Sequence, residues 1–459
     1  MRSLSAGDFE ASVRHFAAAV EKAPEWPEAR CNLGLALIEA HEYENARAHL
    51  DKALELSPEL PEATVALGTL FMREGKLEHA MWLYRKALEA RPGFVEAHFQ
   101  LARAHLLEGE YEEAEKSLLE ARSIDGNNAS LERLLANVYQ KIGRLGAAEA
   151  AYLKAIELDG EDYVARYDFG CFLMATGDLT RAEENFRKSL ELNGDFVHAR
   201  NNLGLVLHYQ ARHYPAIDAF KEAIERSPSY AEAHNNLGKV YYHMGHLDQA
   251  EKEIRTALRI DSSLASAWHN LSKILFRRGD SEQAAQACRK SLEIKPDSGE
   301  GHHDLAMMYL DQGRVEQAAS ALETALAHEP SLAAARRKLA ELYLETGHVD
   351  RARENLETLL AAEPDDTAAR YNLGTALYRL GRTAEALKVF KEVLESEPSH
   401  PYASTNAGLC LEILGRPSEA RAFYERAIRT SPNLDWTSKA RERLLSLDVK
   451  KRREKDAQD

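Results

Sequence analysis

The sequence repeats every 34 residues, and this period constrains the fold more than any other feature of the chain. With Pro27 as position 1, the frame runs to Leu434 without insertion or deletion and contains twelve full repeats. Position 20 is alanine in all twelve, position 8 is always glycine, alanine or serine, and position 15 is glycine in ten. A repeat this short cannot bury an apolar face alone, so the period predicts a stacked array rather than separate compact domains.

Each repeat is predicted to be a helical hairpin. Apolar residues at positions 7, 11, 20, 24 and 27 have helical spacing. In the repeat that begins at Ala231, Leu237 and Tyr241 lie four residues apart, and Ala250 and Ile254 continue the pattern after a turn. Glycine at position 15 ends the first helix, and proline at position 32 of eight repeats ends the second. The small residue at position 8 lets the two helices approach closely.

This pattern resembles the tetratricopeptide repeat (TPR), and the resemblance covers nearly the whole chain. It implies an all-α fold, a right-handed TPR superhelix (an α-solenoid) of antiparallel helix hairpins, whose first helices line a concave groove. TPR arrays typically bind peptides or other proteins in that groove and carry no chemistry of their own. Departures are mild: His41 and Ala211 replace the turn glycine, and Leu359 and Val393 replace the small residue at position 27.

The N-terminal residues 1–26 match only part of a TPR unit, and half of its first helix is missing. Either the start is truncated or the array begins with a bare second helix. The twelve full repeats follow as 27–60, 61–94, 95–128, 129–162, 163–196, 197–230, 231–264, 265–298, 299–332, 333–366, 367–400 and 401–434.

The C-terminal end has a different pattern. Residues 435–448 are predicted to form a capping helix with Ala440, Leu444 and Leu445 facing inward. Residues 449–459 are predicted to form a charged tail.

Composition limits the partners and the compartment. The net charge of −15 argues against nucleic acid, because phosphate binding needs a basic face. No apolar run is long enough to span a bilayer. We expect a cytoplasmic protein, although a signal missing from a truncated N-terminus would change that, and self-association stays open. Reduced thiols fit better than zinc ligands or disulfides, because no CxxC pair joins the four cysteines Cys31, Cys171, Cys288 and Cys410.

The sequence contains no catalytic constellation with usable spacing. HExxH, GxSxG and a glycine-rich phosphate loop are all absent. We therefore predict a non-enzymatic protein–protein interaction scaffold without catalytic residues or cofactor. The alternative rests on the motifs ARNNLG and AHNNLG, which look like the TPR region of O-linked N-acetylglucosamine transferases. In that case the chain would be a substrate-recognition module or fragment of a TPR-containing glycosyltransferase system.

The resemblance implies that positions 2, 5, 6, 9, 12 and 13 of the first helix face the groove. An asparagine amide both donates and accepts hydrogen bonds, so a row of amides could bracket the backbone of an extended peptide. If the row served only a ligand, replacing its asparagines with alanine would weaken peptide capture and leave melting nearly unchanged. The alternative is that asparagine is simply common at this position in TPRs. Position 6 holds a short amide or carboxylate in five consecutive repeats: Asp168, Asn202, Asn236, Asn270 and Asp304.

Three successive repeats carry a more particular lining. Lys239, Lys273 and Arg277 oppose only Glu232 among these groove positions, which predicts an acidic or aromatic-containing peptide partner. The alternative is that the aromatic residues at position 12 pack between hairpins. The predicted lining consists of His198, Asn201, His208 and Tyr209, then Asn235, Lys239, Tyr242 and His243, then His269, Lys273, Phe276 and Arg277.

Histidines are enriched between His198 and His303. His269 and His303 share position 5 of neighbouring repeats, so their rings could face one groove. Two imidazoles do not make a metal site without further ligands, so we predict no metal. Surface histidines that tune the charge of the groove near neutral pH are the favoured interpretation.

Overall fold

The computed structural model describes residues 6–430 and 435–456, and in these ranges the chain forms helices and turns without any strand. This confirms the predicted all-α class. The chain divides into two compact units, Met1–Pro228 and Ser229–Asp459. None of the described helices is both long enough and apolar enough to cross a membrane.

The N-terminal unit contains one helix, α1, followed by six helical hairpins. Within it the first helices of successive hairpins contact each other, as α2 contacts α4 and α10 contacts α12 once the helices are numbered in chain order. The helices are α1 (Ala6–Lys22), α2 (Pro27–Glu39), α3 (Tyr43–Leu56), α4 (Pro61–Arg73), α5 (Leu77–Ala90), α6 (Val95–Glu108), α7 (Tyr111–Ile124), α8 (Ala129–Lys141), α9 (Leu145–Leu158), α10 (Tyr163–Thr176), α11 (Leu179–Leu192), α12 (Val197–Tyr209) and α13 (His213–Arg226).

The C-terminal unit contains six further hairpins and ends with the long helix α26. Here too first helices of neighbouring hairpins contact each other, for example α14 with α16. The helices are α14 (Ala231–His243), α15 (Leu247–Ile260), α16 (Ala265–Arg277), α17 (Ser281–Ile294), α18 (Gly299–Asp311), α19 (Val315–His328), α20 (Ala333–Glu345), α21 (Val349–Ala362), α22 (Thr367–Arg379), α23 (Thr383–Ser396), α24 (Pro401–Ile413), α25 (Pro417–Thr430) and α26 (Asp435–Asp456).

Small side chains bring the two helices of each hairpin together. A Cβ added to Gly204 would lie 2.7 Å from the ring of Phe220, and one added to Gly238 would lie 2.7 Å from Ile254. Real Cβ atoms do not approach other atoms so closely, so position 8 must stay small. The alanine at position 20 has 0% exposed surface in every one of the twelve repeats. The period in the sequence is therefore the period of the core.

The turn inside each hairpin requires a left-handed backbone. Ten glycines at position 15 have positive φ, and His41 (φ 61°) and Ala211 (φ 60°) adopt the same conformation without being glycine. A side chain in this region costs roughly 1 kcal/mol per residue because its Cβ approaches the following carbonyl. These two turns are therefore strained local exceptions to the repeat.

A contact that the period alone did not reveal holds the loops between hairpins. In seven of the described repeats, the side chain at position 4 donates a hydrogen bond to the backbone carbonyl six residues earlier, where the preceding second helix has just ended. His98 Nε2, for example, donates to Pro92 O over 2.9 Å. Two histidines, four arginines and a tryptophan bind the loops in this way. The described pairs are Arg30–Pro24, His98–Pro92, Arg200–Gly194, Trp268–Ser262, His302–Pro296, Arg336–Pro330 and Arg370–Pro364.

The C-terminal helix differs from its prediction in two respects. Helix α26 continues beyond residue 448 to Asp456, so much of the predicted charged tail is helical. Ala440 is buried and Leu444 packs against the core, but Leu445 is 66% exposed. The inward placement of Leu445 was wrong because Ala440 and Leu444 share one helix face, and the next residue lies about 100° further round.

Candidate binding surface on the first helices

The residues at position 6 link neighbouring repeats. In five of the described junctions, the position-6 side chain contacts the position-5 side chain of the preceding repeat, 35 residues earlier in the chain. The row therefore makes contacts between repeats inside the protein, while its predicted role in holding a peptide backbone stays a prediction. The contacts are Asp168–Arg133 (2.9 Å), Asn202–Tyr167 (3.2 Å), Asn270–Asn235 (2.9 Å), Asp304–His269 (3.2 Å) and Asn406–Tyr371 (3.2 Å).

In the N-terminal unit, the Asn202 amide is engaged at both ends. Its Nδ2 lies within donating distance of Tyr167 Oη (3.2 Å) and Cys171 Sγ (3.3 Å) on α10. Its Oδ1 accepts from Asn201 Nδ2 over 3.2 Å, and Asn201 itself is only 4% exposed. The Asn202 Nδ2 group is used in contacts that join α12 to α10, so a peptide carbonyl could accept from it only by competing with those contacts.

Asp168 is paired with a cation rather than open to a ligand. Arg133 Nη1 donates to Asp168 Oδ2 over 2.9 Å, and Arg133 Nε lies 3.7 Å from Asp162 Oδ2. Burial raises the pKa of Asp168, although the charge of Arg133 and its hydrogen bond oppose this shift. The Asp168 site is thus a half-buried ion pair between α8 and α10.

His208 and Tyr209 lie on different sides of α12. His208 is buried, and its Nδ1 lies 3.2 Å from Nδ1 of His213 on α13 of the same hairpin. One ring must donate and the other accept, so this contact cannot exist with both rings protonated. Tyr209 is 53% exposed. The predicted groove position of His208 is corrected to the inside of the hairpin, and Tyr209 remains at the surface.

In the C-terminal unit, Asn235 is an internal link between two helices. It is 6% exposed, its Oδ1 accepts from Asn270 Nδ2 over 2.9 Å, and its Nδ2 donates to Ser266 Oγ over 3.3 Å. The neighbouring Asn236 is half-buried. Asn235 was predicted to make the groove selective, and the structure instead uses it to join α14 to α16.

Basic and aromatic side chains remain accessible on the same two helices. The guanidinium carbon of Arg277 lies 5.3 Å from the ring centroid of Tyr242, and Arg277 Nη1 donates to Tyr242 O over 3.1 Å. His243 and Arg277 are exposed, whereas the aromatic rings and Lys239 are half-buried. We call this surface the α14–α16 strip, and it consists of Lys239, Tyr242, His243, Phe276 and Arg277.

Beside the strip, Lys273 contacts two carboxylates. Its Nζ lies 3.5 Å from Glu300 Oε1 and 4.0 Å from Asp304 Oδ2. The expectation that the basic groove residues oppose only Glu232 was therefore wrong for Lys273. Glu300 was missed because it belongs to the next repeat, and its approach depends on how the repeats stack.

Asp304 is surrounded by cationic and hydrogen-bonding groups. Its Oδ2 lies 3.2 Å from His269 Nε2, and its Oδ1 lies 3.3 Å from His303 Nδ1. Burial alone would raise the pKa of Asp304, but hydrogen bonds from His269 and His303 and the charge of Lys273 hold it well below its usual range. His269 and His303 thus both reach one carboxylate, a contact that their shared position in the repeat did not predict.

Family models match most of the chain. Tetratricopeptide repeat models match residues 3–61, 71–138, 134–162 and 373–435. A model described as the C-terminal domain of cilia and flagella-associated protein 70 matches residues 172–371. No curated protein sequence matches the chain.

Several solved structures are similar over large parts of their length. A chain of the APC/C hetero-tetramer Cut9–Hcn1 is 14% identical, with 92% of this chain and 96% of that chain covered and a TM-score of 0.40. YrrB, described as a TPR protein with an unusual peptide-binding site, is 26% identical, with 40% and 95% covered and a TM-score of 0.33. A tetratricopeptide repeat protein from Parabacteroides merdae is 20% identical, with 54% and 98% covered and a TM-score of 0.47.

Proposed function

The chain belongs to the tetratricopeptide repeat family, and on that premise we propose that it is a non-enzymatic scaffold that binds an extended segment of another protein. Its fold is an all-α TPR superhelix built from helical hairpins. The proposed contact surface is the α14–α16 strip of the C-terminal unit. The proposed partner segment carries acidic and aromatic side chains.

The observation that carries this proposal is the position of Arg277 across Tyr242. A guanidinium has five N–H donors, and one nitrogen of Arg277 is already fixed by the Tyr242 carbonyl. The ring beneath it and this hydrogen bond hold the group in place, so the remaining donors can bind a ligand carboxylate with little further ordering. A preordered, exposed arginine beside half-buried aromatic rings is the chemistry of an interaction hot spot.

The contacts between the asparagines and neighbouring side chains modify the hypothesis that these amides bracket the backbone of a bound peptide. Asn202, Asn235 and Asn270 bond to neighbouring side chains, so they hold the register of the repeats. Selectivity for a ligand then falls to positions 9, 12 and 13, which supply all members of the α14–α16 strip. Lys273 contributes less than its sequence position suggests, because Glu300 and Asp304 already offset its charge.

A peptide display experiment tests the proposal. The full chain would be screened against a library of random peptides, and selected peptides would be measured by fluorescence polarisation. We expect enrichment of acidic and aromatic residues and a loss of at least about tenfold in affinity for the double variant Lys239→Glu, Arg277→Glu, because both new charges repel an acidic segment.

The matched control is Lys252→Glu with Arg259→Glu. Both residues are exposed on α15, the second helix of a hairpin in the same unit, so the change in total charge is identical. The control should keep wild-type affinity. No enrichment of any peptide class, or equal weakening by the two double variants, would contradict the proposal.

The non-enzymatic role has a separate test, since the alternative is a module of a glycosyltransferase system. Incubating the chain with a sugar nucleotide and an acceptor peptide should give no turnover above that of buffer. A cytoplasmic location is part of the same proposal. The four cysteines are free, and burial raises the pKa of Cys31 and Cys288 to about 12, which keeps these thiols unreactive in a reducing compartment.

A further inference from the structure

Three metal-ligating side chains converge beside the α14–α16 strip, on α16 and α18. His269, Glu300 and Asp304 each offer one ligand atom, and these atoms all lie within 4.8 Å of one another. The sequence argued against a metal because two imidazoles lacked further ligands. The structure provides those ligands as two carboxylates, both on the first helix of the repeat that follows the imidazole.

We propose that His269, Glu300 and Asp304 bind a divalent transition-metal ion of the zinc type. One imidazole nitrogen and two carboxylate oxygens are three ligands of the kinds zinc accepts, and a water or a ligand group can complete a tetrahedron. The imidazole disfavours magnesium and calcium, which prefer oxygen ligands alone. The two carboxylates balance the double charge of the ion.

The state of Asp304 gives a second, independent reason. Its Oδ2 has almost no accessible surface, and its nearest polar neighbour is His269 Nε2 at 3.2 Å, whose alignment as a hydrogen-bond donor is poor. A buried carboxylate oxygen with a poorly aligned donor is stabilised less than one with a well-formed hydrogen bond, and a metal ion between it and His269 would supply a stronger partner.

A further histidine can orient the carboxylate. His303 Nδ1 lies 3.3 Å from Asp304 Oδ1, the oxygen that does not face His269. Hydrogen bonds from such outer groups fix a metal-ligating carboxylate and tune its basicity. His303 is therefore a positioning residue in this proposal rather than a ligand.

The ammonium of Lys273 supplies positive charge beside the two carboxylates, as a bound metal ion would. Its ammonium lies 3.5 Å from Glu300 Oε1 and 4.0 Å from Asp304 Oδ2, and its side chain is 36% exposed. A metal ion that binds both carboxylates would displace this ammonium toward solvent. The same displacement makes Lys273 a competitor, so its removal should strengthen metal binding.

Isothermal titration calorimetry with zinc chloride and the untagged full chain tests the site. We expect one zinc per chain, with affinity reduced at least about tenfold in His269→Gln and in Glu300→Gln, since each loses one of three ligands. The matched controls are His328→Ala and Glu316→Gln, which alter an exposed histidine and an exposed glutamate on α19 of the same unit. Both controls should bind zinc as the wild type does.

Lys273→Met tests the site by a gain of zinc affinity, which a misfolded variant would not show. We expect this variant to bind zinc several-fold more tightly and to show a larger zinc-dependent rise in melting temperature, because the competing ammonium is gone. Absence of zinc binding by the wild type, unchanged affinity in His269→Gln and Glu300→Gln, or no gain in Lys273→Met would overturn the proposal. None of these outcomes bears on peptide binding by the α14–α16 strip, which involves other side chains.

Discussion

Asp168 in the N-terminal unit and Asp304 in the C-terminal unit occupy the same position of the repeat, yet their surroundings shift their pKa values in opposite directions. Burial raises the pKa of Asp168, and a single arginine, Arg133, only partly offsets the shift. Burial also acts to raise the pKa of Asp304, but His269, His303 and Lys273 together outweigh it. One repeat position therefore holds two carboxylates of different electrostatic character.

The difference shows that the position in the repeat determines which neighbouring position a side chain contacts, and that the residues at those positions determine its charge state and chemistry. Both carboxylates contact position 5 of the preceding repeat. Position 5 is arginine in one case and histidine in the other. A guanidinium can only donate hydrogen bonds, whereas a neutral imidazole can also bind a metal ion, so only the second junction has metal chemistry available.

The largest expected effect comes from neutralising the two carboxylates in turn. Asp304→Asn should lower the free energy of unfolding by about 2–3 kcal/mol at pH 7, because three cationic or donor groups lose a buried charged partner. Asp168→Asn should cost less than about 1 kcal/mol, because its charge is already disfavoured by burial and the amide oxygen can still accept from Arg133. Urea denaturation followed by circular dichroism measures both losses. Equal losses would remove the distinction between the sites.

The pH dependence of stability tests the opposite shifts. The folded pKa of Asp304 is lowered, so its stabilisation is present above the unfolded pKa of about 3.9 and is lost only as the pH falls through the folded pKa. The folded pKa of Asp168 is raised, so its contribution is present below about pH 3.9 and is lost as the pH rises through the folded pKa.

Moving from pH 7 to pH 4 should therefore favour the wild type over Asp168→Asn, by about 1.4 kcal/mol for each unit of pKa shift. Asp304→Asn should remain less stable than the wild type at both pH values. Urea midpoints at the two pH values provide the measurement. If acidification instead lowered the stability of the wild type relative to that of Asp168→Asn, the inferred upward shift of the Asp168 pKa would be wrong.

The asparagine links of the two units should also differ in strength. Asn270→Ala leaves the buried Asn235 Oδ1 without its donor and should cost about 1–2 kcal/mol. Asn202→Ala removes donors to a tyrosine hydroxyl and to a weakly accepting sulfur, and it takes one acceptor from the buried Asn201 Nδ2. Because the tyrosine hydroxyl can donate elsewhere and Asn201 makes further interactions, about 0.5–1 kcal/mol is expected. Thermal melting of each variant measures the effect. If neither variant changed the melting temperature, the position-6 asparagines would not stabilise the array, and binding a ligand would remain as their role.

The smallest effect concerns the turns of the hairpins nearest the boundary between the units. Ala211→Gly should raise the free energy of unfolding by about 0.5–1 kcal/mol, because the glycine relieves the positive φ of the native turn. Gly245→Ala should lower it by a similar amount, because it introduces the same strain. Denaturation midpoints of the pair provide an internal control. If Ala211→Gly were instead less stable than the wild type, the extra conformational entropy that glycine gives the unfolded chain would outweigh the relief of strain in the turn.

The sequence was informative wherever the physical cause repeats with the period. Helical spacing predicted the hairpins, and invariant alanine and small position-8 residues predicted the core, because side-chain size and helical geometry act within one hairpin. The same frame placed His269 and His303 at one position of neighbouring repeats, but their common contact with Asp304 became visible only in the structure. It failed at Leu445, where the repeat has ended and only the helix phase decides which residue faces inward.

The groove residues were less predictable for a different reason. Asn201, Asn235 and His208 were assigned to the ligand surface, but they are buried against neighbouring side chains. The contacts of Asn235 reach residues 31 and 35 positions further along the chain, so they depend on the offset with which one hairpin stacks on the next. Helical periodicity inside a repeat does not specify that offset.

The sequence by itself determined the repeat, the all-α class and the positions that must stay small, because these follow from local helix geometry and steric size. Only the tertiary structure decided that position 6 bonds to position 5 of the preceding repeat, that Lys273 is held by Glu300 and Asp304, and that Arg277 lies over Tyr242. Hydrogen bonds and ion pairs act over a few ångströms, so one residue of difference in stacking would create or remove each of these contacts.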